Sequence, residues 1–198
     1  MIEPFTYTVP ADFSSASYPI AAALLTHQET EIVGLDFSDP QGDKALFDVL
    51  EAMGARFERG ERSLRVLEDC ELQGTTIDLN PIIDALPLLA VIGCKARGKT
   101  TLMNGAIART KECDRIAKMA EELRKMGAQI EECPDGLVIY ESRLHGADLE
   151  SHGDQRLVLA LSIAALIADG PVTISDYTCY TKTFPNFFRA LNFTSKVC

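Results

Sequence analysis

The sequence predicts a mixed α/β (α+β) fold, a pseudo-threefold domain over residues 1–198 built from three βαβαββ units. Three observations predict it. Stretches 16–25, 85–93 and 157–168 are apolar nearly all round, as buried helices are. Each is followed by a turn and a β-rich stretch, at 30–33, 100–103 and 172–175. The triplet Met53-Gly54-Ala55 recurs 73 residues later as Met126-Gly127-Ala128, each time closing an amphipathic helical pattern.

In the first unit, roughly 8–68, the buried helix over 16–25 contains Pro19, expected early in the helix, where proline is tolerated. Apolar residues over 46–53 recur at helical spacing, and Gly54 stops that helix. Strands at 56–58 and 64–66 then flank a polar turn. The second unit, roughly 75–141, repeats the order with Pro87, an amphipathic helix ending at Met126, and strands at 129–131 and 137–140. The third, roughly 145–198, is shortened after residues 184–193. No low-complexity linker separates the units, which argues for one domain. Related by a threefold axis, the three buried helices bring their N-termini together at one end. Helix N-termini offer free N–H groups and partial positive charge, so an anion site is expected there.

Composition bounds the partners. The chain has 198 residues, 46% of them apolar, and a formal net charge of −10 from 19 basic and 29 acidic residues. That balance disfavours nucleic acid and anionic membrane, while leaving room for a small anion on a local basic cluster. The longest apolar run, 157–168, is too short for a membrane span. The start Met1-Ile2-Glu3-Pro4 lacks a secretory pattern, so a cytoplasmic location is expected. Cysteines at 70, 94, 113, 133, 179 and 198 show no metal-ligand spacing and are expected as free thiols; no metal or cofactor is expected.

Four motifs carry chemistry. Gly93 to Thr100 fits the phosphate-loop spacing, with Lys99 on a terminal phosphate, but it follows a helix and precedes a β-rich run, the reverse of that motif's context. It reads as a basic surface turn. Lys111 and Arg115 stand four apart and are expected to share a helix face, with Glu112 as a nearby proton carrier. His152-Gly153-Asp154-Gln155-Arg156 opens the most apolar helix, and an Arg at a buried edge answers an anion. Asp84, at the matching place in the second unit, is either a helix cap or a carboxylate facing the same cleft. Lys182, in Thr181-Lys182-Thr183-Phe184-Pro185, precedes a helix in the third. Ion-paired, solvated helix starts are the plain alternative for each of these.

Taken in order, the stretch from Asp12 to Tyr18, Asp84-Ala85, Lys111-Glu112-Cys113-Asp114-Arg115, the run from His152 to Arg156, and Lys182-Thr183-Phe184-Pro185 resemble the signatures of the 5-enolpyruvylshikimate-3-phosphate synthase family. The resemblance runs along nearly the whole chain, but only to the carboxyl-terminal half of that family. It implies one half of a two-domain enolpyruvyl transferase fold, the missing amino-terminal domain being a partner. It also implies transfer of the enolpyruvyl group of phosphoenolpyruvate to the 5-hydroxyl of shikimate 3-phosphate, with release of phosphate, for aromatic amino-acid biosynthesis. Arg115, Arg156 and Lys182 would hold phosphoenolpyruvate. Asp84 and Lys111 would meet shikimate 3-phosphate, and Asp84, Glu112 and Lys111 would be catalytic. Ile107 stands where many members place an Asn, and Cys113 where they place Ser or Thr. The sister enzymes acting on UDP-N-acetylglucosamine share the fold but lack the Lys-Glu and Lys-Thr-Phe-Pro combination. A non-catalytic binding or scaffold module of the same fold, and a phosphate-loop nucleotide binder, are the alternatives.

Overall fold

The computed structural model describes residue 6 and residues 9–191. Three apolar helices form the centre: α1 (Phe13–Thr26), α3 (Leu86–Lys95) and α5 (Gln155–Leu166). All three touch one another. Leu89, Ala90 and Val91 of α3 and Val158 and Ala160 of α5 are wholly enclosed, which explains why these helices show no polar stripe. Around them lie three sheets. The first contains β1 (Thr30–Val33), β2 (Phe57–Arg59) and β3 (Ser63–Val66), in the order β1-β3-β2 and antiparallel throughout. The second contains β4 (Thr76–Asp78), β5 (Lys99–Met103), β6 (Ile130–Cys133) and β7 (Gly136–Tyr140), in the order β4-β5-β7-β6. Strand β4 runs parallel to β5 across helix α3, and the other pairs are antiparallel. The third pairs β8 (Asp148–Glu150) in parallel with β9 (Thr173–Ser175) across α5.

The amphipathic helices α2 (Ala45–Ala52) and α4 (Arg115–Lys125) fall where the heptad-like pattern places them. After each, the triplet glycine takes a left-handed turn, φ +108° at Gly54 and +88° at Gly127. A Cβ on Gly54 would lie 2.7 Å from the Glu71 carbonyl oxygen, and one on Gly127 would lie 2.7 Å from the His145 ring. Conformation and space both demand glycine there. The third unit ends in the short helix α6 (Phe187–Ala190). The leading strand expected at the start of the first unit and Cys198 lie outside the described residues.

Two local expectations are corrected. Helix α1 begins at Phe13 because Asp12 caps it, accepting from the Ser14 and Ser15 N–H groups at 3.3 and 2.9 Å. Pro19 therefore sits inside the helix, in its second turn, rather than at its entry. Similarly, Asp114 caps α4, its carboxylate accepting from the Ala117 N–H at 3.0 Å, so the helix starts at Arg115 and Lys111 lies outside it on extended backbone. Lys111 and Arg115 do not share a helix face. The basic turn around Gly98 leaves α3 and enters β5, so no helix N-terminus follows it to cradle a phosphate.

Candidate active site at the helix N-termini

The N-terminal ends of α1, α3 and α5 meet, joined by two arginines. Arg115, at the start of α4, is only 1% exposed. Its Nε donates to Asp154 Oδ2 at 2.7 Å, Nη1 to Asp84 Oδ1 at 2.8 Å, and Nη2 to Glu112 Oε2 at 2.7 Å. Asp154 is fully buried and also caps α5, accepting from the Arg156 N–H at 2.8 Å. Burial alone would disfavour the Arg115 charge, but Asp154, Glu112 and Asp84 outweigh it and raise its pKa.

Arg156 leaves the first turn of α5 and reaches α1 and Asp84. Its Nη1 donates to Ser14 Oγ of α1 at 2.6 Å, and its Nη2 to Asp84 Oδ2 at 3.3 Å. The Tyr18 hydroxyl, one turn along α1 from Ser14, faces the same guanidinium, and burial raises the Tyr18 pKa. Lys111 Nζ stands 3.4 Å from Asp84 Oδ1. Asp84 precedes α3 in a 3₁₀ turn (Ile83–Ala85) and makes no capping bond. Of the two readings offered for it, the helix cap is not seen; the carboxylate pairs instead with Arg115, Arg156 and Lys111. Burial works to raise the Asp84 pKa, but Arg156, Arg115 and Lys111 together lower it. Glu112 is also lowered, first by the Gln155 amide, which donates to its Oε1 at 2.9 Å, with Arg115 adding to the effect.

Five of the six predicted residues are thus brought together: Asp84, Lys111, Glu112, Arg115 and Arg156. Lys182 is not. It ends the 3₁₀ segment Tyr177–Lys182, is exposed, and forms no ion pair among the described residues. Arg115 also differs from the expectation of an open cation, since it is enclosed and satisfied by three carboxylates. Cys113 Sγ lies 3.7 Å from Asp154, and burial pushes its thiol pKa up to about 12, so it is held as a neutral thiol. Ile107 is 59% exposed and offers no polar group. Sequence reasoning passed over Asp154 as an arginine partner, Gln155 as the Glu112 partner, and Ser14 and Tyr18 as Arg156 neighbours. The spacing of Ser14 and Tyr18, one helical turn apart, was the available signal.

Comparison with known proteins agrees with this architecture. The family model described as EPSP synthase (3-phosphoshikimate 1-carboxyvinyltransferase) matches residues 2–191. A 3-phosphoshikimate 1-carboxyvinyltransferase of Acetivibrio thermocellus is 48% identical over 189 residues, covering 96% of this chain and 44% of that protein. One of Chlamydia caviae is 47% identical over 192 residues, covering 96% and 43%. The structure of EPSP synthase from Acinetobacter baumannii superposes with a TM-score of 0.83 at 27% identity, over 93% of this chain and 46% of that one. The enolpyruvyl transferase NikO from Streptomyces tendae shares the fold, with a TM-score of 0.78 at 21% identity over 94% and 43%. The chain spans less than half the length of these relatives, as one half of the two-domain fold does. With the family model matched over residues 2–191, the chain belongs to the EPSP synthase family.

Proposed function

We propose that this chain supplies the phosphoenolpyruvate-binding and proton-transferring wall of an enolpyruvyl transferase acting on shikimate 3-phosphate. The observation that carries the reading is the convergence of Arg115, Arg156 and Lys111 on Asp84, where three helix N-termini meet. A substrate with both a carboxylate and a phosphate needs several fixed cations, and preorganised charge stabilises an anionic transition state. Arg156 and Lys111, neither fully enclosed, face the ligands. Arg115 fixes the carboxylates behind them. Lys182 reaches phosphoenolpyruvate when the opposing half closes the cleft.

In the reaction the 5-hydroxyl oxygen bonds to C2 of phosphoenolpyruvate and a proton is added at C3, giving a tetrahedral intermediate. The C2–O bond to phosphate then breaks as C3 returns a proton. Asp84 and Glu112 are both ionised before substrate arrives, since their pKa values are lowered. Each therefore begins as a proton acceptor. Anionic substrate beside them raises their proton affinity, so a carboxylate that has taken the hydroxyl proton can return it. Lys111, against Asp84, neutralises charge on the shikimate side. Catalytic groups on one wall orient neither substrate fully nor exclude water, so turnover requires the amino-terminal half. The test mixes the chain with that complementary half and follows phosphate release from the two substrates. Release that depends on both halves and is lost in Arg156→Ala supports the reading. No release, together with no phosphoenolpyruvate binding by either mixture or chain, overturns it and leaves the scaffold reading.

A further inference from the structure

The second unit sends charged residues, Lys111 and Glu112, into the site from the segment entering its amphipathic helix. The first unit has the corresponding segment, the 3₁₀ turn Gly42–Lys44, which leads into α2. Its loop is fastened to the α1 N-terminus. The Gln41 side chain accepts from the Phe13 N–H at 2.9 Å and donates to the Ala11 carbonyl at 3.1 Å, while Lys44 Nζ donates to the carbonyls of Phe37 and Asp39. This brings half-buried Asp43 against Ser14, with Arg156, Asp84 and Asp12 as its charged neighbours. Ser14 Oγ accepts from Arg156 Nη1 at 2.6 Å, so its own hydrogen remains to be given; Asp12 takes the Ser14 backbone N–H, and Asp43 is the carboxylate left beside the hydroxyl.

We propose that Asp43 is a positioning residue of the site: acting through the Ser14 hydroxyl, it holds the Arg156 guanidinium in the orientation that an incoming phosphate or carboxylate meets. Each unit then contributes one carboxylate to the arginine pair, Asp43, Asp84 and Asp154. Burial raises the Asp43 pKa against the pull of Arg156 and Ser14, in keeping with a group enclosed behind the cleft rather than solvated at its rim.

The proposal rests on the functional reading only for its ligand, so the test has two arms. In the first, selective nitrogen labelling of arginine gives the Arg156 Nε–H signal, assigned by its loss in Arg156→Lys. Asp43→Ala should mobilise that side chain in the free protein, and Asp43→Asn, which keeps an acceptor for Ser14, should largely preserve its order. In the second, calorimetry measures phosphoenolpyruvate binding. Asp43→Ala should weaken it about five- to tenfold, the scale of one ordinary hydrogen bond, because Asp43 acts through the neutral Ser14 hydroxyl. In a Ser14→Ala background the same change should cause no further loss, because the bridge is already gone and only a repelling negative charge is removed. Equal losses in both backgrounds, or an Arg156 as ordered in Asp43→Ala as in the unaltered chain, overturn the proposal. If the unaltered chain alone binds no phosphoenolpyruvate, the first arm still decides the role of Asp43, and the functional reading is decided by the mixture with the complementary half.

Discussion

Replacing Arg115 by methionine tests whether the arginine holds the domain together as well as its site. Three carboxylates lose a partner, but they lose it unequally. Asp84 and Glu112 are about one-third exposed, so water takes over much of the lost interaction, and exposed pairs contribute under about 1 kcal/mol each. Asp154 is fully buried, and Arg115 is its ion-pair partner at 2.7 Å. Removing one member of a buried pair leaves an uncompensated charge and costs roughly 3–5 kcal/mol. For a chain of this size that corresponds to a fall in Tm of about 10 °C. The assay is urea and thermal unfolding followed by circular dichroism at pH 7.5, on the unaltered chain, Arg115→Met and the double variant Arg115→Met/Asp154→Leu. The double variant removes the orphaned Asp154 charge, so it should recover a good part of the loss, short of about 1 kcal/mol for the missing α5 cap. If Arg115→Met costs under about 1 kcal/mol, or the double variant is the least stable of the three, the cluster is a loose surface network and this account of it is wrong.

Three further outcomes follow from the same geometry. In the reconstituted pair of halves, Glu112→Gln and Asp84→Asn should each slow phosphate release about 10²–10⁴-fold, while Lys99→Ala, on the exposed turn at Gly98, should leave it unchanged; full activity in both carboxylate variants would remove them from proton transfer. Asp84 and Glu112 have pKa values below their unfolded ones, so their stabilisation is complete above the unfolded value and lost as pH falls through the folded one. Acid unfolding below about pH 4 should therefore be less steep in Asp84→Asn than in the unaltered chain, and identical slopes would deny the linkage. Phe187, wholly buried and set edge-on against Tyr18, Phe184 and Phe188, anchors the last unit to α1, so Phe187→Ala should cost about 3–5 kcal/mol in chemical denaturation.

The fold was legible where one element declared itself alone. Helices α3 and α5 are apolar on every face, and the Met-Gly-Ala turns place glycine where a left-handed bend is required, so both signals survive without tertiary context. The joining of Lys111 and Arg115 was misread because a charge spacing of four fits a helix and also fits the residues flanking its cap. Asp114 decided between them, and a capping carboxylate was there to be read. Asp43, Tyr18 and Gln155 were illegible for a different reason. Their roles exist only once the units close about the axis, since Ser14 and Arg156 meet across 142 positions of sequence.

That closure also explains how a chain of net charge −10 gathers three cations in one place. Its site cations are not left bare: Arg115 answers Asp154, Asp84 and Glu112, while Arg156 and Lys111 both lean on Asp84. An anionic ligand entering here competes with Asp84 before anything else, because that one carboxylate touches all three cations. Displacing it from Arg156 and Lys111 weakens what keeps its pKa low, so ligand arrival and readiness to take a proton are coupled through a single side chain. Asp154 stays enclosed with Arg115 and fixes its guanidinium in place. The two carboxylates differ in burial rather than in residue type: the enclosed Asp154 is held in one arrangement, and the part-exposed Asp84 is the one that the proposed function requires to exchange partners and protons.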